Sequence, residues 1–456
     1  MKIISKKSFF VNNILSKQKY DINIKYRKIK FIVEEKVDEG ILIFNYLTFE
    51  LILLSNEEYL NFSSKIEDKL FSYYVENWFY VQEDFDEIKT CYQIMDFARA
   101  INYGMNYRQY TIFSTMQCNA RCFYCFENGK KRESMTLETA KYVSEYIIKN
   151  HNNAINQLRW FGGEPLYNTD VIDLICENLR KNNIPFTSGF TSNAYLFSEE
   201  CIVRAINCWN MQSVHTTLDG TQEIYNKTKN YIYKEDNNPF KTVINNIHNL
   251  LKHKIKVMVR MNLSENNSND IERLIAYLSE EFCEEKDFSM YVSLLHKSDS
   301  SGFSSDSAEQ FDEQAETLIK LSNKIFNKGF SISTIQKDIS ANICKADSDS
   351  SVVILPNGNF TRCENMFQEN RLGNVFGETP EKTLYNSWKE YAEVLDDCRN
   401  CSLVPKCISL RNCTHGGRKN KCGLSIKKIK LNSARLAMKN TYVKYLNQEK
   451  NRNKTE

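Results

Sequence analysis

Cys118, Cys122 and Cys125 fall in the run CNARCFYC at the spacing C-x3-C-x2-C. Three thiolates so placed can wrap a compact loop around one iron–sulfur cube, because soft sulfur donors favour such clusters or zinc over hard cations. They reach three of the four irons, since no nearby cysteine completes the set. An iron without a protein ligand is open to another molecule. A zinc knuckle is the competing reading, but it is tetrahedral and closed by four ligands, so it needs a distant fourth donor. Fifteen cysteines in a chain that carries no export signal point to metal ligation in a reducing compartment, the cytoplasm, and not to a disulfide framework.

The elements that position this loop follow from pattern and length. At 456 residues the chain holds two to three domains at about 150 residues each. Its net charge of +3 makes no case for nucleic acid or a membrane surface as partner. The mean hydropathy is −0.50, and no run of ~18 apolar residues could span a bilayer. The start, MKIISKKSFFVNN, has neither a signal-peptide apolar core nor a small-residue cleavage site. Three regions separate: 1–104, a small α+β domain; 105–330, where strand and helix signals alternate; and 331–456, rich in cysteine and ending in a basic tail.

The middle region reads as six βα units. Strands are expected at Gln109–Thr115, Gln157–Phe161, Phe186–Thr191, Ser213–Leu218, Lys256–Leu263 and about 288–295. A helix over Lys241–His253 carries Val243, Ile244, Ile247, Leu250 and Leu251 on one stripe. The fold class is therefore α/β, a partial, open (β/α)6 barrel, whose function gathers at the C-terminal ends of the strands. Polar oddities sit at those ends. Gly162-Gly163-Glu164-Pro165 follows the second strand, Ser192-Asn193 the third, and Asp219-Gly220 the fourth. Alternation along a strand puts Val257, Val259 and Met261 toward the helices, so Met258, Arg260 and Asn262 face inward. By the same parity His215, Thr217 and Asp219 face inward. An inward Arg is costly unless it meets an anion. A rim-exposed Arg260 and a satisfied core His215 are the plainer alternatives.

The Cys118–Cys125 loop, with Tyr124 as its aromatic, and the GGEP turn together resemble the radical SAM superfamily. The resemblance implies a 4Fe–4S cluster on Cys118, Cys122 and Cys125, with S-adenosylmethionine on the open iron. It implies that Gly162, Gly163, Glu164 and Pro165 receive the methionine ammonium, that Arg260 receives the carboxylate, and that Thr217 or Asp219 meets the ribose. Ser192-Asn193 resembles the family's Thr-Asn, with Ala194 where a Gly is usual. Tyr124 and Asn262 complete the expected cofactor contacts.

Toward the C-terminus, Cys344 is followed after thirteen residues by Gly358, then G-x4-C to Cys363, then Cys398-x2-Cys401-x5-Cys407, Cys413 and Cys422. This is similar to the seven-cysteine SPASM domain. The resemblance implies two auxiliary clusters, one on Cys344, Cys363 and Cys413, the other on Cys398, Cys401, Cys407 and Cys422. The five residues between Cys407 and Cys413 depart from the family's usual three. The first auxiliary set also lacks a fourth cysteine, a place open to substrate or to Asp347 or Asp349. A zinc ribbon is the alternative for this half. The remaining Cys91, Cys176, Cys201, Cys208 and Cys283 read as buried small hydrophobes.

In the first region Asn56 reads as a helix cap before Glu57 and Glu58, ahead of the aromatic cluster Tyr73-Tyr74 and Trp78-Phe79-Tyr80. Relatives that modify peptides carry a leader-binding winged helix here, which pairs the leader with a sheet edge. A domain packed over the open barrel is the alternative. The resemblance implies a radical SAM/SPASM maturase that installs a thioether or carbon–carbon crosslink in a ribosomally made precursor peptide, with flavodoxin or ferredoxin as electron donor. Two alternatives stand beside it. One is an anaerobic sulfatase-maturating enzyme that makes formylglycine; the other is a non-catalytic iron–sulfur electron carrier or peptide-binding scaffold.

Overall fold

The computed structural model describes residues 1–15, 18–102, 107–125, 127–129, 131–151, 155–295, 308–330, 333–335, 345–348, 350–364, 372–378, 398–407 and 424–452. The first hundred residues form strands β1 (Lys2–Ser5), β2 (Tyr26–Lys28), β3 (Ile32–Val37), β4 (Gly40–Asn45), β5 (Glu50–Leu54) and β6 (Tyr80–Gln82). Helices α1 (Phe9–Ile14), α2 (Asn56–Ser64), α3 (Phe71–Glu76) and α4 (Glu87–Asn102) lie among them. An antiparallel sheet runs β1-β5-β4-β3, and β2 pairs with β6. The α2 cap is Ser55, one residue before the expected Asn56. The Ser55 hydroxyl accepts from Glu58 N while Ser55 N donates back to the Glu58 carboxylate. Tyr74, Phe79, Tyr80, Phe62 and Phe71 pack edge-on or tilted into a core under this sheet.

The six expected strands follow as β7 (Tyr107–Thr115), β8 (Ile155–Gly162), β9 (Phe186–Thr191), β10 (Met211–Thr217), β11 (Lys256–Leu263) and β12 (Phe288–Leu294). They are parallel and neighbour one another in chain order. Helices α5 (Leu137–Lys149), α6 (Thr169–Lys181), α7 (Glu199–Trp209), α8 (Gln222–Lys229), α9 (Pro239–Lys252), α10 (Ser268–Glu281) and α11 (Ala308–Asn327) connect and cover them. Among the described residues the sheet does not close: β12 is one edge, and beyond β7 come β13 (Ser351–Ile354), parallel to it, and β14 (Phe360–Thr361). The partial α/β barrel expected from sequence is the observed fold.

Alternation sorts each strand's side chains. Trp160, Phe190, Val214, Val257, Val259, Met261 and Met290 are buried under the helices in the largest core. Each such side chain contributes about 1.5–3 kcal/mol over its exposed state. The opposite face carries Arg159, Thr191, His215, Met258, Arg260 and Tyr291, none of them fully buried. A second core joins the two ends of the chain. Val33, Phe44, Leu51 and Trp78 meet Leu403, Val404 at the start of α12 (Val404–Cys407), and Ala434, Ala437, Met438 and Tyr442 of α13 (Leu424–Arg452). Arg435 and Lys439 of that helix pair with Glu35 on β3. The basic tail is thus largely a 29-residue helix. No helix among the described residues is long and apolar enough to cross a membrane.

Of the five unassigned cysteines, Cys91 and Cys176 are buried as expected and Cys201 is half-buried. Cys208 and Cys283 are exposed, against expectation. On α7 the inward stripe is Ile202, Ala205 and Trp209, which turns Cys208 outward, and Cys283 lies just past the end of α10.

Candidate functional site

The Cys118–Cys125 loop leaves the C-terminal end of β7 and is held by backbone bonds from two sides. Gly163 N donates to Thr115 O (3.0 Å) and Glu164 N to Gln117 O (2.8 Å), which locks the GGEP turn against the loop. Arg121 N donates to Lys229 O (2.8 Å) and Ile232 N to Asn119 O (2.9 Å), which locks the segment after β10 against its other side. Only glycine fits the turn. A Cβ on Gly162 would lie 2.0 Å from Thr115 O, and one on Gly163 would lie 2.3 Å from Gln117 O.

Cys118, Cys122 and Cys125 are all half-buried. Burial pushes the Cys118 thiol up to about 12, and the charges of Glu164, Cys122 and Cys125 add to that rise. Ala120 N donates to Cys118 Sγ (3.3 Å), and Asn193 Nδ2 lies 3.8 Å from the same sulfur. Among the described residues no three His, Cys, Asp or Glu side chains are drawn together as a single metal ion requires. With metal–sulfur bonds near 2.3 Å, a lone zinc ion needs its sulfurs about 3.8 Å apart. Cys118, Cys122 and Cys125 are the thiolates this loop offers to an iron–sulfur cluster.

Glu164 does not point into open space. Its carboxylate is fully buried and accepts from Ser192 Oγ (2.8 Å), Asn193 N (2.9 Å) and Leu166 N (3.3 Å). Burial lifts its pKa to about 7, while the Asn193 and Ser192 bonds work against that rise. Glu164 therefore fixes the turn after β9, and the turn's backbone is left to face a ligand. Pro165 is buried, and its carbonyl accepts from Ser114 Oγ (3.1 Å). Asn193 Nδ2 donates to Asn119 Oδ1 (2.7 Å), tying that turn to the cysteine loop. Ala194 holds the left-handed φ of +63° that explains the usual glycine there.

Thr217, Asp219, Tyr124 and Asn262 converge on a residue absent from the expected set, Lys229. Its ammonium lies 2.9 Å from Asp219 Oδ2 and 3.0 Å from Tyr124 OH, and it also donates to Thr217 Oγ1. Tyr124 OH donates to Asp219 Oδ2, and Asn262 Nδ2 to Asp219 Oδ1 (2.7 Å). Burial alone would lower the Lys229 pKa, but the Asp219 carboxylate, with Tyr124, holds it well above its usual value. Asp219 is thereby fully engaged inside the protein. The one sequence signal for Lys229 was its place four residues after Tyr225 on α8, one turn along the same helix face.

Buried polar atoms on β11 and on the loop itself have no hydrogen-bond partner among the described residues. These are Arg260 Nε, Asn262 Oδ1 and Asn119 Nδ2. Unsatisfied buried donors and acceptors cost about 1–3 kcal/mol each, so they mark where a polar ligand is expected. They suit a cofactor with carboxylate and hydroxyl groups. In the C-terminal region Cys363 follows β14, and Cys398 and Cys401 are half-buried in one turn, with Cys401 N donating to Cys398 O (2.9 Å). Cys344, Cys413, Cys422 and Asp349 lie outside the described residues.

Residues 112–278 match the family model described as the Radical SAM superfamily. The chain is 30% identical over 117 residues to a probable GTP 3',8-cyclase of Methanococcus maripaludis strain C7. That match covers 26% of this chain and 38% of the relative's length. The fold is similar to the solved structure of anSMEcpe with bound AdoMet, with a TM-score of 0.54 at 17% identity. That likeness covers 75% of this chain and 100% of the other. It extends to anSMEcpe with AdoMet and a Cp18Cys peptide, at a TM-score of 0.55, 16% identity and 74% coverage of this chain.

Proposed function

We propose that the chain is a radical SAM enzyme that oxidatively modifies a ribosomally synthesised precursor peptide, forming a thioether or carbon–carbon crosslink. The observation that carries the reading is the three-cysteine loop pinned to the GGEP turn, together with the unpartnered Arg260 Nε on β11. Bound there, a 4Fe–4S cluster and S-adenosylmethionine would supply one-electron cleavage of the sulfonium and a hydrogen-abstracting radical. Cys118, Cys122 and Cys125 hold the cluster, the Gly162-Gly163 backbone receives the ammonium, and Arg260 receives the carboxylate. Lys229 and Asp219 set the floor of the site by fixing Tyr124. Cys344, Cys363, Cys398, Cys401, Cys407, Cys413 and Cys422 would hold auxiliary clusters, which would supply an acceptor for the electron left when the new bond closes. A flavodoxin or ferredoxin supplies the first electron.

Formylglycine formation on a protein substrate is the second reading, favoured by the likeness to anSMEcpe along that chain's full length. Nucleotide cyclisation, the activity in the name of the sequence relatives, has less behind it, because the match spans only 26% of this chain. The test is anaerobic reconstitution of the full chain with iron, sulfide, S-adenosylmethionine and dithionite. Formation of 5'-deoxyadenosine is expected, and its loss in Cys118→Ala. With a short Cys-containing test peptide, a product lighter by two hydrogens marks a crosslink, whereas sulfur replaced by oxygen marks formylglycine. A chain that forms no 5'-deoxyadenosine with any of these substrates is not such an enzyme.

A further inference from the structure

The open face of the sheet carries positive charge that the cofactor does not account for. Arg159 on β8 and Arg260 on β11 both face it, and both charges bear on the His215 ring of β10. His215 Nε2 lies 3.0 Å from Tyr291 OH on β12. Burial, then Arg260 and Arg159, push the His215 pKa down to about 4, so the imidazole is neutral near pH 7. Among the described residues neither guanidinium has an ion pair, and the largest charged influences on His215 are both cations. Two inward carboxylates are engaged elsewhere: Asp219 by Lys229, Glu164 by Ser192 and Asn193.

The wall is also shaped for Arg159. Register sets Arg159 beside Gly189 of β9, and Gly189 beside Ser213 of β10. A Cβ at Gly189 would lie 2.6 Å from Arg159 Nη1 and 2.9 Å from Ser213 Oγ. The missing side chain lets the guanidinium lie across β9 toward β10. One Arg suffices for the carboxylate of S-adenosylmethionine, and Arg260 sits level with Thr217 near the strand ends. Arg159 lies deeper, three residues before Gly162. Among the described residues no acid pairs with Arg159, and a carboxylate there would supply the partner its guanidinium lacks.

We propose that Arg159, with His215 and Tyr291 as neutral hydrogen-bonding neighbours, receives a carboxylate of the substrate, an Asp or Glu side chain or the C-terminus of the peptide. The peptide identity rests on the function proposed above; the anion site does not. A guanidinium fork pairs with carboxylate through two parallel bonds, which also fixes the orientation of the chain that bears it. The bound peptide is thereby held along β8–β12 with its reacting residue toward the cysteine loop.

Calorimetry on the full chain with S-adenosylmethionine present tests this with three probes: acetyl-Gly-Asp-Gly-amide, acetyl-Gly-Asn-Gly-amide and inorganic phosphate. The Asp probe is expected to bind at least about tenfold more tightly than the Asn probe, the worth of one charge-assisted hydrogen bond. Arg159→Gln should remove that preference, and Arg159→Lys, which keeps charge but loses the fork, should restore part of it. Gly189→Ala, which displaces the guanidinium without removing it, should weaken the Asp probe as well. Equal binding of the Asp and Asn probes, no binding of either, indifference to Arg159→Gln, or phosphate binding more tightly than the Asp probe would each overturn the proposal. The outcome is separable from the radical reading. A chain that binds the Asp probe through Arg159 but forms no 5'-deoxyadenosine keeps the anion site and loses the enzyme.

Discussion

Lys229 Nζ lies 2.9 Å from Asp219 Oδ2, and the two side chains are 2% and 3% exposed. The pair joins the end of α8 to the end of β10 directly beneath Tyr124, the aromatic of the cysteine loop. A buried ion pair gives little net stability, because desolvation consumes most of its attraction, but breaking it strands a charge. Lys229→Met is therefore expected to lower unfolding stability by about 3–5 kcal/mol. The double variant Lys229→Met/Asp219→Asn should recover much of that loss. Urea titration of the three proteins checks this, and a double variant no better than Lys229→Met would show that the charge pair is not the cause.

Gly163 governs whether the cysteine loop and the GGEP turn can share backbone bonds. A Cβ there would sit 2.3 Å from Gln117 O and 2.6 Å from its carbonyl carbon, and backbone atoms cannot swing aside as a side chain can. Gly163→Ala should part the two segments, costing about 1–3 kcal/mol. After anaerobic reconstitution it should hold about one cluster fewer per chain, a count set by three ligands serving one cluster. Iron and sulfide analysis beside absorbance near 400 nm measures this. Unchanged cluster content would mean the loop does not depend on the turn.

The strands were legible because two independent signals coincide in them. Phe186–Thr191 and Lys256–Leu263 alternate or run apolar between turn formers, and the structure ends both where expected. Parity then turned Arg260 and Asn262 inward without any knowledge of the fold. Adjacent Ser55 and Asn56 can both cap a helix, and Glu58 decides for Ser55 because it stands at the third helical position from it. Lys229 and Arg159 escaped because long charged side chains are ordinarily solvated. Their meaning comes from partners 105 residues away, as for Tyr124, or from a neighbouring strand, as for Gly189. No local pattern encodes either. The exposure of Cys208 follows from which stripe of α7 is apolar, a signal that was present and outweighed by the habit of burying cysteine.

Arg260 has a buried Nε with no partner among the described residues, next to Thr217 on β10 and Tyr291 on β12. A carboxylate arriving there satisfies it. Arg260→Gln should weaken S-adenosylmethionine binding about tenfold to a hundredfold, the range for one or two bonds to a charged group. At saturating cofactor the rate of 5'-deoxyadenosine formation should stay near that of the parent, since the proposed role puts the guanidinium at the end of the molecule remote from the adenosine. A fall in kcat with KM unchanged would place Arg260 in the reaction instead of in cofactor binding.

Glu50, on β5 far from the cysteine loop, supplies a pH-dependent term in stability. Its side chain is buried in the N-terminal sheet. Oε1 accepts from Tyr73 OH (2.9 Å), whereas Oε2 has no partner among the described residues. Burial raises its pKa to about 6, and the Tyr73 bond and the Lys7 charge only partly oppose that. The folded chain thus keeps this proton up to about pH 6, while the unfolded chain releases it near 4.5. Protonation favours the fold, so this group's contribution is fully present below about pH 4.5 and is lost as pH rises through 6. A rise of about 1.5 units corresponds to ~2 kcal/mol. Glu50→Gln, which stays neutral and can still accept from Tyr73, should be about 2 kcal/mol more stable than the parent above pH 7 and indistinguishable from it near pH 4.5. Urea midpoints of both proteins at the two pH values check the sign. A Gln variant less stable at pH 8 would mean that Glu50 is ionised and satisfied in the folded chain, through contacts to its second oxygen.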